Sequence, residues 1–136
     1  MIQVIAGKKG SGKTKRLIDM TNRTAKEAAH LVVFLDDDNR YMFDVDHSAR
    51  FVNAQDYHIN NADMFLGFLG GMLSCNFDIG TVFVDAFLKI SKAEKEDMPG
   101  LVEGMDALSS KHNVNFVLSV SSAIEDLPEC LRTRVI

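Results

Sequence analysis

The sequence predicts a three-layer α/β domain in which a mainly parallel sheet is covered by helices on both faces. Short apolar runs alternate along the chain with longer stretches that carry helical periodicity. The run at residues 31–35 is apolar throughout, which suits a parallel strand buried on both faces. With 136 residues, of which 46% are hydrophobic and 25% charged, the chain has the composition of a single globular domain spanning residues 1–136. Disordered and coiled-coil proteins have a different composition.

Five strands are expected from the apolar runs, and they are joined by helices or polar loops. The strands lie at residues 2–6, 31–35, 50–53, 81–85 and 115–120. Residues 39–49 are polar and irregular, and residues 91–97 are charged, so we expect both segments to be solvated loops.

Apolar residues spaced three and four apart predict the helices. The first is expected at residues 13–30. The second has an apolar face formed by Phe65, Phe68, Leu69, Met72 and Leu73. Asn60 and Asn61 precede it as candidate caps, and Asp97 is expected to cap a third helix. A short helix is expected within residues 123–136.

A glycine-rich segment follows the first strand. Residues 7–14 fit the pattern G-x-x-x-x-G-K-[ST], the P-loop or Walker A motif, in the strand-to-helix context that this motif requires. The backbone N–H groups of such a loop form a concave anion site with the N-terminus of the next helix. We expect Gly7, Gly10 and Gly12 to adopt positive φ and to approach the phosphates closely. The predicted nucleotide-binding residues are Gly7, Lys8, Lys9, Gly10, Ser11, Gly12, Lys13, Thr14 and Lys15. For Lys15, a solvated position at the rim is the simpler interpretation.

Three side chains carry the expected chemistry of this site. Lys13 supplies a movable positive charge for the β- and γ-phosphates, and the Thr14 hydroxyl is a hard oxygen ligand for Mg²⁺. Asp85 follows the apolar residues 82–84, as in a Walker B strand, whose terminal carboxylate holds Mg²⁺ directly or through water. The sequence therefore predicts a nucleoside triphosphate and Mg²⁺ as ligands, with Thr14 and Asp85 at the metal.

Sequence signals of two common P-loop branches are missing. No Asn-Lys-x-Asp segment is present to recognise guanine, which favours ATP over GTP. Ala86 stands where many ATPases carry a glutamate that activates water. If the chain hydrolyses ATP, its general base must lie elsewhere.

Three segments resemble the RecA-like recombinases and the hexameric replicative helicases: residues 36–38, 82–86 and 108–119. In those families the water-activating carboxylate ends the strand that follows the P-loop helix. The resemblance implies that Asp38, or else Asp37, is the general base, acting beside Lys13. It also implies a RecA-like strand order, in which the last strand lies between the P-loop strand and the Asp85 strand. The chain is similar as well to small bacterial ATP-binding proteins sometimes labelled twitching-motility ATPase-like.

The chain departs from these families in two places. Aspartate is one methylene shorter than the glutamate those families use, which shortens its reach toward water. Val120 stands where they carry a polar sensor, although Ser119 and Ser121 flank it. The three aspartates at residues 36–38 are equally well explained as a solvated turn.

The first functional hypothesis is an Mg·ATP-binding protein with weak or partner-activated ATPase activity. One alternative is a small kinase that uses residues 39–59 or 91–98 as acceptor or lid loops. Another is a module that senses the nucleotide without hydrolysing it. The candidate arginine fingers are Arg40, Arg50, Arg132 and Arg134, supplied either by the same chain or by a neighbouring subunit.

Composition and charge exclude several partners and locations. The net charge of −4 and the lack of a basic helix argue against nucleic acid as the main ligand. The longest apolar segment, residues 64–75, is too short to span a bilayer, and no secretory leader precedes the first strand. Cys75 and Cys130 fit neither a zinc site nor a disulfide framework. We expect a cytoplasmic protein whose macromolecular partner is another protein or a second copy of itself.

Overall fold

Five parallel strands form one sheet in the computed structural model, which describes all of residues 1–136. The strands are β1 (Ile2–Gly7), β2 (Leu31–Asp36), β3 (Arg50–Asn53), β4 (Ile79–Val84) and β5 (Asn115–Ser121). They lie in the order β1-β5-β4-β2-β3, and every neighbouring pair is parallel. The last strand therefore lies between β1 and β4, which confirms the predicted order of these three strands.

Five helices lie between or after the strands. They are α1 (Lys13–Glu27), α2 (Ala62–Cys75), α3 (Phe87–Ser91), α4 (Met98–His112) and α5 (Glu129–Arg132). Asn61 caps α2, as predicted, because its side chain accepts the N–H of Met64 at 2.9 Å. None of the helices combines the length and the apolar character that crossing a bilayer requires.

The sheet separates two apolar clusters, one on each face. Phe34 and Phe83 pack with Leu17 of α1 in a cluster of nine buried residues. Their strand neighbours Leu35 and Val84 belong to a cluster of 25 buried residues that includes side chains of α2, α3 and α4. Because successive side chains of a strand point to opposite faces, the two clusters require central strands that are apolar on both faces along most of their length. The three-layer arrangement follows from this pattern.

Four details of the helices and turns differ from the sequence prediction. The helix α3 was not predicted, and Lys95–Asp97 form a 3-10 turn inside the segment that the charge pattern assigns to a loop. Asp97 stands at the start of α4, but its carboxylate accepts the N–H of Glu94 at 3.1 Å and so caps the turn instead of the helix. The first helix ends at Glu27, three residues before the predicted end.

The strand ends place four segments at the same edge of the sheet. Because the strands are parallel, the carboxyl ends of β1, β2, β4 and β5 meet there. Gly7 pairs with Ser121 in the sheet register, and the N–H of Asp85 donates to the carbonyl of Leu35 at 2.9 Å. Open parallel sheets of α/β proteins bind their ligands at this edge.

Candidate functional site

A cleft of about 1070 Å³ opens at the carboxyl edge of the sheet. It is lined by the β1–α1 loop, the ends of β2, β4 and β5, and one side of α3. The predicted site residues that line it are Lys9, Gly10, Gly12, Lys13, Thr14, Lys15, Asp37, Asp38 and Asp85. Gly7, Lys8 and Ser11 were also predicted, but they support the loop from outside the cleft lining.

Two glycines give the β1–α1 loop its shape. Gly10 has φ 83° and Gly12 has φ 90°, values that side chains rarely tolerate, so these two predictions of positive φ are confirmed. For Gly7 the same prediction is wrong, since its φ is not positive. Glycine is needed there for space instead: a Cβ on Gly7 would lie 2.5 Å from the Ser11 hydroxyl.

Most backbone amides of this loop have no acceptor within the chain. The N–H of Ser11 donates to the Lys8 carbonyl at 3.1 Å, and it is the only amide of residues 9–15 that donates to an oxygen of the protein. Lys13 to Lys15 form the first turn of α1, where free amides are expected in any helix. The free amides of Lys9, Gly10 and Gly12 extend this set into the loop, which makes the segment suited to an anion.

Thr14 and Asp85 are brought into contact, as predicted from the sequence. The Thr14 hydroxyl lies 3.1 Å and 3.3 Å from the two carboxylate oxygens of Asp85. Asp85 is only 6% exposed, and its Oδ1 also accepts the Ser119 hydroxyl at 2.6 Å. Ser119 in turn accepts the N–H of Ala86 at 2.8 Å. This chain of hydrogen bonds fixes the carboxylate beside the first turn of α1.

Ser119 lines the cleft, whereas its neighbour Val120 does not. Val120 is fully buried in the larger core cluster and faces away from the cleft. Ser119 lies on the other face of β5, lines the cleft and is 2% exposed. A polar residue within an otherwise apolar buried strand is the signal that would have identified it.

Asp36 is the most buried acid of the cluster that ends β2. It is 1% exposed, its Oδ1 accepts the N–H of Asp37 at 2.7 Å, and its Oδ2 has no hydrogen-bond partner. Burial, the adjacent Asp37 carboxyl and the charge of Asp85 raise the pKa of Asp36 to about 8, although the hydrogen bond from the Asp37 N–H acts in the opposite direction. The sequence analysis had assigned no separate role to this residue.

Asp37 forms an ion pair with Lys89 of α3. The Lys89 ammonium lies 2.8 Å from Oδ2 of Asp37. Burial would raise the pKa of Asp37, but the neighbouring Asp36 carboxyl and the Lys89 ammonium outweigh it and hold that pKa below its usual value. Lys89 was not identified from the sequence as a site residue, because the helix that carries it, α3, was not predicted.

Asp38 is turned toward Arg40. Its Oδ1 accepts the N–H of Arg40 at 2.9 Å, and its Oδ2 lies 3.4 Å from the Arg40 guanidinium. Residues 36–38 were interpreted either as the site of the general base or as a solvated turn. Asp38 has features of both, because it shapes a turn and also lines the cleft.

Among the arginines considered as fingers, only Arg40 lines the cleft. Arg134 is held by two hydrogen bonds to Asp106, at 2.8 Å and 2.6 Å. Arg50 begins strand β3 and Arg132 ends α5, and neither lines the cleft. Within one chain, the cationic side chains that line the cleft are thus Arg40, Lys89, Lys9, Lys13 and Lys15.

Comparison of the chain with known proteins finds no protein-family model that matches it, and no curated protein that matches it. The assignment that the coordinates support is a fold class: a small α/β domain with five parallel strands in the order β1-β5-β4-β2-β3, flanked by helices.

Proposed function

We propose that the chain is a P-loop protein that binds Mg·ATP in the cleft and hydrolyses it slowly, or faster when a partner activates it. One observation carries the proposal: the Thr14–Asp85 contact lies in the same cleft as a glycine loop whose amides have no acceptor in the chain. A glycine-rich turn that only joined a strand to a helix would need neither feature.

The β1–α1 loop supplies the groups for binding the phosphates. The free amides of residues 9, 10 and 12 and of the first turn of α1 would donate to phosphate oxygens. The Lys13 ammonium is exposed and donates to the Lys8 carbonyl at 3.0 Å. A neutral carbonyl is a weaker hydrogen-bond acceptor than a phosphate. The Lys13 ammonium would therefore leave the Lys8 carbonyl and bind a phosphate oxygen instead.

Thr14 and Asp85 fit a magnesium ion, since both offer hard oxygen atoms and lie in hydrogen-bond contact. The Thr14 hydroxyl points its proton at Asp85, which leaves the lone pairs of its oxygen available. Mg²⁺ would neutralise charge on the β- and γ-phosphates. Ser119 holds the Asp85 carboxylate in place for this role.

Hydrolysis would use an aspartate at the end of β2. Asp38, or else Asp37, would accept a proton from water while the water oxygen bonds to the γ-phosphorus. The bond from the γ-phosphorus to the β–γ bridging oxygen breaks, leaving ADP and inorganic phosphate. Both carboxylates are paired with a cation of the chain, so each would have to leave its partner before it accepts a proton. We therefore expect slow hydrolysis in the absence of an activator.

The position of β5 between β1 and β4 supports the RecA-like branch of the P-loop proteins. The activator we envisage is another protein or a second copy of the chain, which would supply a cation in trans or displace Arg40 or Lys89 from its aspartate. The net charge of −4 disfavours nucleic acid in this role.

Phosphoryl transfer to an acceptor other than water is favoured by a second cavity of about 470 Å³. This cavity is lined mainly by residues 42–51 and shares Asn22 and Asp44 with the cleft. Residues 39–59 were predicted as an acceptor loop, and their position beside the cleft suits that role. No residue of the other predicted loop, 91–98, lines either cavity.

The test is phosphate release from Mg·ATP by the purified protein, with nucleotide binding followed on the same samples. We expect slow multiple turnover with water alone and its loss in Lys13→Ala. Lys111→Ala is the matched control, because Lys111 lies on α4 outside the cleft. Turnover only after addition of an acceptor would support the kinase, and binding without turnover would support the sensor. Absence of binding would contradict all three.

A further inference from the structure

The helix that follows β4 places one lysine at the cleft. In α3, Phe87 and Ile90 are 0% and 3% exposed and anchor the helix in the larger core cluster. Phe87 packs edge-on against Phe65 of α2, with ring centroids 5.8 Å apart. With those positions fixed, Leu88 and Lys89 project into the cleft lining. The placement of Lys89 is thus dictated by the core and not by its own ion pair.

The ion pair between Lys89 and Asp37 is suited to exchange. The Lys89 side chain is 71% exposed, whereas that of Asp37 is 17% exposed. An ion pair with one partner this exposed is weak in water, so its replacement by another anion costs little. Phosphate oxygens of a nucleotide in the same cleft would compete with Asp37 for the ammonium.

We propose that Lys89 is the residue that distinguishes a bound triphosphate from a diphosphate: it leaves Asp37 and pairs with the terminal phosphate. This inference rests on the proposed nucleotide site. The loop amides and Lys13 serve the β-phosphate, which both nucleotides carry, and Lys13 also serves the γ-phosphate. Lys89 lies on a different part of the cleft, the wall formed by α3 and the end of β2. Its movement would also uncover the Asp37 carboxylate only when a γ-phosphate is present.

The test compares the affinities for ADP and for a non-hydrolysable ATP analogue, adenylyl imidodiphosphate, each with Mg²⁺. We expect Lys89→Met to weaken binding of the analogue about tenfold while leaving ADP nearly unchanged, since one charge-assisted contact is lost. Lys92→Met is the matched control, because Lys92 is exposed at the end of the same helix and does not line the cleft.

A double variant separates direct contact from simple neutralisation of Asp37. If Lys89 only shields the phosphate from Asp37, then Lys89→Met/Asp37→Asn will recover the preference for the triphosphate analogue. If Lys89 contacts the terminal phosphate, the double variant will stay defective, and Asp37→Asn alone will bind the analogue at least as well as the wild type.

The inference is overturned if Lys89→Met keeps the wild-type preference for the analogue over ADP, or if the double variant restores it. Both results leave the nucleotide site intact. A wild-type protein that binds neither nucleotide contradicts the proposed function itself, and a far weaker affinity in Lys13→Ala shows that binding occurs at the loop.

Discussion

The two walls of the cleft differ in how their polar groups are engaged. On the β1–α1 wall, six amides have no acceptor within the chain, and Lys13 is held only by a carbonyl. On the opposing acidic wall, Asp37 is paired with Lys89 and Asp38 with Arg40. The first wall can receive a phosphate chain without breaking an ion pair. The second must give up an ion pair before either carboxylate is free. Under the proposed function, this difference predicts a protein that binds a triphosphate more readily than it cleaves one.

The largest effect is expected from breaking the loop. Gly12→Val forces a β-branched side chain into φ 90°, which should abolish detectable Mg·ATP binding and destabilise the fold by about 1–3 kcal/mol. Calorimetric titration and urea denaturation measure the two effects. Gly67→Val is the matched control, because Gly67 has no positive φ and no atom near its missing Cβ. Unimpaired binding by Gly12→Val would show that the loop conformation does not matter.

The acidic wall is tested by removing each candidate base. Asp38→Asn should lower phosphate release about a hundredfold while leaving Mg·ATP affinity within a few-fold of the wild type. Asp37→Asn should have a smaller effect on turnover. Although burial raises the pKa of Asp37, the Asp36 carboxyl and the Lys89 ammonium lower it overall, which weakens Asp37 as a base. Single-turnover phosphate release compares them. If Asp37→Asn loses more activity than Asp38→Asn, then Asp37 is the general base. If neither variant loses activity, neither aspartate takes part in hydrolysis.

The proposed metal ligands, Thr14 and Asp85, line the same cleft as the two walls. Asp85→Asn should cut the magnesium-dependent part of ATP affinity about tenfold, because an amide replaces the carboxylate that contacts Thr14. Ser119→Ala keeps the carboxylate and should lose less affinity, with about 1 kcal/mol less stability from the lost hydrogen bonds. Titrations with ATP at several magnesium concentrations measure how the ATP affinity of each variant depends on Mg²⁺. An unchanged magnesium dependence in Asp85→Asn would exclude Asp85 as a ligand.

The burial of Asp36 predicts how stability depends on pH. In the unfolded chain this carboxyl loses its proton near pH 3.8, whereas the folded protein keeps it to about pH 8. Between those values a rising pH therefore favours unfolding, by at most about 1.4 kcal/mol per pH unit, and the loss stops above pH 8. Asp36→Asn should remove this contribution. Urea denaturation of both proteins without Mg²⁺ measures the difference, and identical pH profiles would contradict the assignment.

The sequence was informative where the determinants are local. The β1–α1 loop is one contiguous segment, so its glycines, Lys13 and Thr14 could be identified from spacing alone. Four of the strands were found as apolar runs, whereas the short β3 was expected from only two apolar residues, Phe51 and Val52. The strand order was predicted through the family resemblance, and the order of β1, β5 and β4 is confirmed.

The acidic wall could only be predicted in part. Asp36, Lys89 and Ser119 come from three segments that are distant in the chain, and only the packing of the sheet brings them together. Residues 36–38 are consecutive aspartates, and the sequence does not say that the first is buried while the other two are paired. The helix α3 has five residues, too few to show a helical period.

The most direct test of the central claim is to follow the backbone amides by NMR while Mg·ADP and then a non-hydrolysable ATP analogue are added. A chain of 136 residues suits such ¹H–¹⁵N spectra. The proposed site predicts that the largest shifts fall on the amides of residues 9, 10 and 12–15, because these donate to the phosphates. Shifts confined to another part of the molecule, or no shifts at saturating nucleotide, would contradict the assignment of the cleft as a P-loop site.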